Sequence, residues 1–312
     1  MSDPQFPLYI PSKSRSDTML TSKALTTMNV NHYIVIEPDQ MDDYIKAIKH
    51  WGLLATPLEL DLSYKDKYEL CDNLGLTRST GPGPARNFAW DHSIANGYDW
   101  HWVMDDNIKF FARLYKNKRI EVKTGSFFKA MEDFVLRYKN VAMAGPNYKM
   151  FAIPKTKYPP FITNTRIYSC NFIRNSLSNR WRGRYNEDTI LSIDLLKKGW
   201  CTIQFYAFLQ EKLATQTLKG GNTEEFYHAE GKVEKGKSYA TGGTTAKSQM
   251  LVNVHPDVVK LRWRFGRVHH LANYRLFKNN MLILRDDINI SNTPNEYGMT
   301  LKKLDGGIKT NG

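Results

Sequence analysis

The stretch Tyr98-Asp99-Trp100-His101-Trp102-Val103-Met104-Asp105-Asp106-Asn107-Ile108-Lys109 decides how this chain is read. Its short apolar run, Trp102 to Met104, stops at two adjacent acids, Asp105 and Asp106, and then at Asn107. Strand-like residues followed by clustered oxygen ligands place those ligands at the carboxyl end of a buried strand. In an open α/β sheet that end is where ligands bind. Two carboxylates and an amide oxygen suit a hard divalent cation such as Mg2+ or Mn2+, which also holds phosphate oxygens. The same residues equally fit a polar turn whose acids are solvated or cap a helix, so the neighbours must decide.

Composition narrows the field. A chain of 312 residues supports one large domain or two ordinary ones with a substantial core. The formal net charge of +13 points to a polyanionic partner, either nucleic acid or an anionic membrane surface. Cys71, Cys170 and Cys201 are scattered and odd in number, which argues against a disulfide framework or a thiolate zinc site and fits a reducing compartment. No signal-peptide core and no bilayer-spanning stretch is visible, so a cytoplasmic protein is expected.

Outward from the acidic stretch, helix and strand signals alternate. Leu8-Tyr9-Ile10 reads as a short strand stopped by Pro11, and Asp17 as the cap of a helix carrying Leu20, Ala24 and Met28. Tyr33 to Ile36 reads as a buried strand, and Met41, Tyr44, Ile45 and Ile48 recur at helical spacing up to Gly52. Strand, helix, strand, helix is the opening of a parallel sheet of the nucleotide-binding type. A loop from Thr77 to Gly83 then feeds a helix whose first turn holds Pro84, Arg86 and Asn87. Such a loop is either an anion site at a helix N-terminus or an ordinary tight connection. Neither the phosphate-loop lysine signature nor a paired-glycine dinucleotide fingerprint occurs, which weighs against an NTPase.

Beyond the acidic stretch, Ser126 to Tyr138 predicts a helix and Val141 to Ala144 a buried strand, while the proline-rich segment 145–165 predicts an irregular loop. Asn186 suits an N-cap, which puts Glu187 and Asp188 on a first helical turn where negative charge is favoured. These acids serve either as routine dipole partners or, beside Arg174, Arg180, Arg182, Arg184 and Trp181, as a general base towards an acceptor hydroxyl. Residues 219–247 are glycine-rich and lack apolar periodicity, as a mobile lid would. From Lys260 to Lys278 arginines and aromatics interleave without an acid, which fits phosphate contacts with base stacking, a basic amphipathic helix packed inward, or both.

Taken together, several short motifs resemble the TET-associated glycosyltransferases. They are Tyr9-Ile10-Pro11-Ser12-Lys13 with Arg15, Gly83-Pro84-Ala85-Arg86-Asn87, Asp105-Asp106-Asn107, Arg184-Tyr185-Asn186-Glu187-Asp188 and Lys219-Gly220-Gly221-Asn222-Thr223. The run from His255-Pro256-Asp257 through Phe265-Gly266-Arg267 to His269 and His270 adds to them, so the likeness spans Leu8 to Phe277. The family comprises phage-type enzymes that decorate 5-hydroxymethylpyrimidines in DNA, hydroxymethylcytosine arabinosyltransferases included.

The resemblance implies an α/β fold of the GT-A type: a Rossmann-like, mostly parallel sheet flanked by helices, with a basic C-terminal extension. It implies a UDP-sugar donor, Mn2+ or Mg2+, DNA carrying a 5-hydroxymethylpyrimidine as acceptor, and protection of that DNA in an infected cell. Carried over, Ser12, Arg15 and Glu37 face the nucleotide, Arg86 and Asn87 the diphosphate or sugar, and Asp105 the ribose and metal. Asp106 binds the metal, and His255 completes its coordination. Asn107 departs from the wider Asp-x-Asp pattern, which makes Asp106 the safer ligand. A catalytic domain is expected over 1–215, a lid over 216–248 and a basic DNA-contacting segment over 249–312. Arg182, Arg184, Arg262, Arg264 and Arg267 are expected to hold the DNA backbone. Asp188 is the expected base and Glu187 the second choice, because a primary alcohol is a poor nucleophile at neutral pH. The hydroxymethyl group projects into the major groove, where it is accessible without base flipping, although many base-modifying enzymes do flip their target. Two other readings remain open: a nucleotide-sugar transferase with a non-DNA acceptor, and a metal-dependent nuclease built on Asp105, Asp106 and Glu187.

Overall fold

In the computed structural model the described residues are 3–72, 79–153, 157–213, 243–264, 267–288 and the isolated positions 293, 294 and 298. The chain opens with strand β1 (Leu8–Pro11), helix α1 (Leu20–Thr27), β2 (His32–Ile36), α2 (Met41–Trp51) and β3 (Ala55–Glu59). A one-turn α3 (Ser63–Asp66) and α4 (Gly83–Ala95) lead to β4 (Trp100–Met104), followed by β5 (Ile108–Tyr115), β6 (Lys118–Glu121) and α5 (Ser126–Val135). Then come β7 (Val141–Tyr148), β8 (Phe161–Thr163), β9 (Cys170–Arg174), α6 (Glu187–Lys197) and β10 (Cys201–Lys212). Helix α7 (Gly243–Val254) and the hairpin β11 (Val259–Arg264) and β12 (Arg267–Ala272) close the series.

The main sheet runs β3-β2-β1-β4-β9-β7-β10-β5-β6, with β8 paired to β10. Strands β3, β2, β1 and β4 are parallel, and β7 pairs parallel with β10. Strand β9 is reversed between β4 and β7. The carboxyl ends of β1, β2, β4, β7 and β10 therefore share one edge with the start of β9. This is the helix-flanked α/β architecture that the resemblance implies.

Alternation along the strands explains the layering. Leu8, Ile10, Trp102, Met104 and Phe172 pack in one cluster with Leu25 of α1 and Phe127 and Met131 of α5. The intervening Tyr9, Val103 and Ile173 pack in another with Ala89 and Trp90 of α4 and Leu191 and Leu195 of α6. Successive strand side chains point to opposite faces, so a sheet covered on both faces reads as continuous apolar runs. On the first face, Phe172 stacks between Trp100 and Trp102, each at 4.7 Å between ring centroids.

A third cluster joins the outer face of α6 (Ile190, Ile193, Leu196) to Met250, Leu251, Val259 and Phe277. The C-terminal segment thus leans on α6. The Asn280 amide strengthens this, donating to the carbonyls of Leu196 and Trp200 at 2.8 and 2.9 Å.

Several local expectations need correction. The basic run beyond Val259 forms a hairpin and not a helix, because Val259, Leu261 and Trp263 alternate with Lys260, Arg262 and Arg264 at the period of a strand. The proline-rich segment is partly ordered: β7 continues to Tyr148 and β8 adds a short strand. Asn186 does occupy the N-cap position of α6, with Glu187 and Asp188 in the first turn, but it is left-handed (φ 54°) and makes no capping bond; its amide donates instead to the Lys247 carbonyl at 2.9 Å. Asp17 lies outside α1, whose N-cap position is Met19. The expected lid over 216–242 and the motif Lys219 to Thr223 lie outside the described residues, whereas 243–248 belong to α7. No helix among the described residues is long and apolar enough to cross a membrane.

Candidate active site

The acidic turn after β4 is held by its backbone. Thr21, in the first turn of α1, donates its hydroxyl to the Asp105 carbonyl at 2.6 Å and its N–H to the Asp106 carbonyl at 3.2 Å. The Thr21 hydroxyl accepts the Ile108 N–H at 2.9 Å, and the Asp105 N–H donates to the Ser169 carbonyl at 2.7 Å. With the backbone fixed on both sides, the two carboxylates leave the turn for different partners.

Asp105 takes Arg86 Nη2 at 2.7 Å and Lys212 Nζ at 2.5 Å. Burial alone raises its carboxyl, but Lys212 and Arg86 outweigh it and hold Asp105 below the usual carboxylate range. Asp106 takes the Ser12 hydroxyl at 2.8 Å and forms an ion pair with Arg15. Here burial prevails over Arg15 and Ser12, and the neighbouring Asp105 adds to it, so the Asp106 carboxyl is pushed up. Ser12 is itself held at 2.8 Å by the Tyr44 hydroxyl, which also accepts the Arg15 N–H at 3.1 Å. Glu37, at the end of β2, pairs with Lys65 at 2.6 Å and Lys13 at 3.2 Å.

Arg86 is the hinge of the site. It is only 3% exposed, lies 4.6 Å over the Trp181 ring and carries Glu187 on Nη1 at 3.0 Å while Nη2 carries Asp105. The strand-end acid and the first turn of α6 therefore converge on one guanidinium. Burial raises the Glu187 carboxyl, Arg86 opposes this, and Asp188 raises it further. Asp188 accepts the Thr189 N–H on Oδ1 at 2.6 Å, and its Oδ2 has no hydrogen-bond partner among the described residues. Of the two acids, Glu187 is ion-paired to Arg86, whereas Asp188 has no ion pair among the described residues.

The Gly83 end of α4 has a packing role. A Cβ at Gly83 would sit 1.8 Å from the Tyr68 hydroxyl, which reaches past it to the Gly183 carbonyl at 2.9 Å. Asn87 exchanges two bonds of 2.9 Å with the Trp181 backbone, so its amide secures the ring beneath Arg86.

Other expected residues lie elsewhere. His255 is buried against Asp194, 3.6 Å away, and Asp194 follows Glu187 by seven residues, about 10 Å along the helix axis. The structure does not bring His255 to Asp106; its own neighbours are Asp194, Lys197, Arg182 and Asp257. Arg182 grips Asp194 with two bonds of 2.9 and 3.0 Å and Glu69 with a third of 2.9 Å. Arg184 is 1% exposed and bound to Asp72 at 2.7 and 3.2 Å, which removes it from any DNA-facing surface. Its burial follows from the Arg184 N–H bond to the Leu70 carbonyl, which tucks the segment beneath residues 69–72. Arg262 is exposed on β11; the side chains of Arg264 and Arg267 lie outside the described residues.

Sequence reasoning missed Lys212 and Ser169. Lys212 ends β10 at the edge where β4 ends, and it also donates to the Ser169 hydroxyl at 3.0 Å. A lysine terminating an apolar strand was a usable signal; that the strand reaches Asp105 was not, since β10 pairs with distant β5 and β7.

The ligand types at the turn fit a hard cation. Asp105 and Asp106 stand beside Asn107, whose buried amide oxygen has no partner among the described residues. Among those residues no three His, Cys, Asp or Glu side chains form a preformed cage. Two carboxylates that share a cation with substrate phosphates, and not an all-protein cage, are the usual arrangement for Mg2+.

The comparison with curated proteins returns no significant match. Among solved structures, one described as a nucleotide-diphospho-sugar transferase from Desulfovibrio desulfuricans G20 aligns at 11% identity, TM-score 0.35, over 65% of this chain and 80% of its own. The inositol-1-phosphate CTP transferase from T. maritima aligns at 7% identity, TM-score 0.37, over 68% and 91%. The profile of the TET-Associated Glycosyltransferase family matches residues 6–221, more than half of the chain. The protein is therefore a member of the TET-associated glycosyltransferase family and a glycosyltransferase.

Proposed function

We propose that the protein transfers a sugar from a UDP-sugar to the hydroxymethyl group of 5-hydroxymethylcytosine in DNA, in a divalent-metal-dependent reaction. One observation carries the mechanism: Arg86 joins the strand-end acid Asp105 to Glu187, so a donor-side and an acceptor-side carboxylate occupy one buried site. The net charge of +13 supports a polyanionic acceptor.

In this reading Ser12, Arg15 and Glu37 hold the nucleotide, at the carboxyl ends of β1 and β2 where a parallel sheet receives its ligand. Asp106 and Asp105, with the Asn107 amide nearby, would hold a divalent cation, which would supply neutralisation of charge on the departing diphosphate. Arg86 and Lys212 fix the Asp105 carboxylate so that it does not swing with each turnover. Asp188, whose Oδ2 has no hydrogen-bond partner among the described residues, takes the proton of the hydroxymethyl group as that group's oxygen bonds to the anomeric carbon. The bond from that carbon to the diphosphate breaks, and its electron pair leaves with UDP. Glu187, tied to Arg86, keeps the guanidinium between the two carboxylates.

The test is mass spectrometry of nucleosides from hydroxymethylcytosine DNA incubated with the protein, Mn2+ and a panel of UDP-sugars, UDP-arabinose and UDP-glucose first. A pentose or hexose added to the base supports the proposal and names the donor. Release of UDP with unmodified DNA moves the activity to another acceptor.

A further inference from the structure

Beside Asp188 lies a group of side chains that the donor half of the reaction does not use. Tyr148, at the end of β7, and Tyr168, just before β9, meet with ring centroids 4.3 Å apart. The Arg166 guanidinium lies 4.7 Å over the Tyr168 ring and has no carboxylate bound to it among the described residues. Tyr274, which follows β12, has a buried hydroxyl with no partner among the described residues. Arg166, Tyr148 and Tyr274 all feel the charge of Asp188, as does His270 of β12. The rings are themselves anchored: Tyr168 donates to Asn147 at 3.0 Å, and the Tyr148 and Ser169 hydroxyls share a bond of 2.5 Å. Tyr274 and His270 lie beyond the matched residues 6–221, so the C-terminal segment supplies one wall.

We propose that Tyr148, Arg166, Tyr168 and Tyr274 form the acceptor subsite, and that it takes a single pyrimidine base turned out of its strand with the hydroxymethyl group directed to Asp188. This rests on the transfer to DNA proposed above. The chemistry of the walls fits the ligand. Tyrosine rings offer faces to a base, an arginine with its ring-facing side already stacked keeps N–H groups for a base carbonyl, and a buried hydroxyl without a partner gains one. The position of Asp188 gives the reason for flipping. A 5-substituent in a duplex stays within a major groove about 12 Å wide and about 8.5 Å deep. A general base must come within about 3 Å of the proton it takes. Asp188 is half-buried in the first turn of α6, and its charge is felt by Arg86, Arg166, Tyr148 and Tyr274, so the acceptor reaches it among these side chains. The base must come to the carboxylate.

The experiment uses the full chain and three DNAs carrying one hydroxymethylcytosine: in a matched duplex, opposite an abasic site, and in single strand. Each has a matching version with 2-aminopurine beside the target for fluorescence. The expected result is a rise in 2-aminopurine fluorescence when the protein binds the matched duplex, and kcat/KM about tenfold or more higher opposite the abasic site, where less stacking and pairing is lost. Arg166→Met and Tyr274→Phe should lower kcat/KM for DNA about tenfold while UDP release into water is unchanged, which a general folding defect would not allow. Equal kcat/KM on matched and abasic duplexes without a fluorescence change overturns the flipped-base subsite while leaving transfer to DNA in place. Absence of transfer to all three DNAs overturns the parent reading, and this inference with it.

Discussion

Asp105 and Glu187 are bound to one guanidinium: Arg86 gives Nη2 to Asp105 at 2.7 Å and Nη1 to Glu187 at 3.0 Å. Removal of the guanidinium takes away the ion-pair partner of Glu187 and leaves Asp105 with Lys212. Breaking a buried pair costs roughly 3–5 kcal/mol, because the remaining charge is uncompensated. Arg86→Met should therefore lower stability by about that amount and abolish transfer. Arg86→Lys should fold better but remain nearly inactive, since one ammonium does not reproduce the fork. Urea unfolding and sugar transfer, measured on the same preparations, check both; an active Arg86→Lys enzyme would contradict the bridging role.

Asp188→Asn should reduce turnover by roughly 10²–10⁴-fold, the range for a general base, with donor affinity unchanged. Glu187→Gln should reduce it less and should also raise KM for the donor, since its loss disturbs Arg86. Single-turnover transfer with separately measured UDP-sugar binding distinguishes the two. A larger loss of kcat in Glu187→Gln than in Asp188→Asn, with KM unchanged, would assign the proton to Glu187.

Asp106→Ala should eliminate donor-dependent transfer and leave DNA affinity intact, because Ser12 and Arg15 gather around Asp106 on the donor side. Titration of labelled DNA by anisotropy gives the comparison. Loss of DNA binding would move Asp106 out of the donor site.

Arg262 and Arg184 should respond in opposite ways. Arg262 is exposed on β11, so Arg262→Ala should weaken DNA binding and reduce the salt slope by about 1 without altering stability. Arg184→Ala should instead destabilise the fold by roughly 3–5 kcal/mol, since it removes the buried guanidinium that pairs with Asp72. A stable Arg184→Ala protein with weaker DNA binding would restore Arg184 to the DNA surface.

Acid should destabilise the protein through its buried histidines. Burial pushes the imidazoles of His32 and His101 down from 6.5 to about 4. His32 is held neutral, its Nδ1–H donating to the Val30 carbonyl at 2.9 Å and its Nε2 accepting from Ser22 at 2.7 Å. His101 donates from Nδ1 to Asn175 at 2.6 Å. Between those two pH values the unfolded chain takes up protons that the folded chain refuses. The stabilisation is thus complete above about pH 6.5 and is lost as pH falls towards 4, on the order of 3 kcal/mol for each histidine. Urea unfolding at pH 7.5, 6 and 5 should show the decline, and His101→Gln should flatten it.

Local sequence determined the first strand–helix–strand–helix unit, because apolar periodicity and the Pro11 and Gly52 stops act within a few residues. It also determined that Asp105 and Asp106 end a buried strand, since Trp102 to Met104 are apolar on both faces of the pleat. What it left undecided depends on pairing between distant segments. Arg184 and Arg262 are both arginines in basic runs; only the tucking of 183–184 beneath residues 69–72 buries the first and leaves the second in solvent. The hairpin at 259–272 was masked by arginines on an alternation too short to exclude a helix. Lys212 reaches Asp105 across 107 residues of sequence, His255 is drawn to Asp194, and Arg86 collects acids from β4 and α6. Charges separated in sequence by that much meet only after the sheet has ordered its strands. Which carboxylates are paired, and with which cations, was therefore decided by the tertiary structure alone.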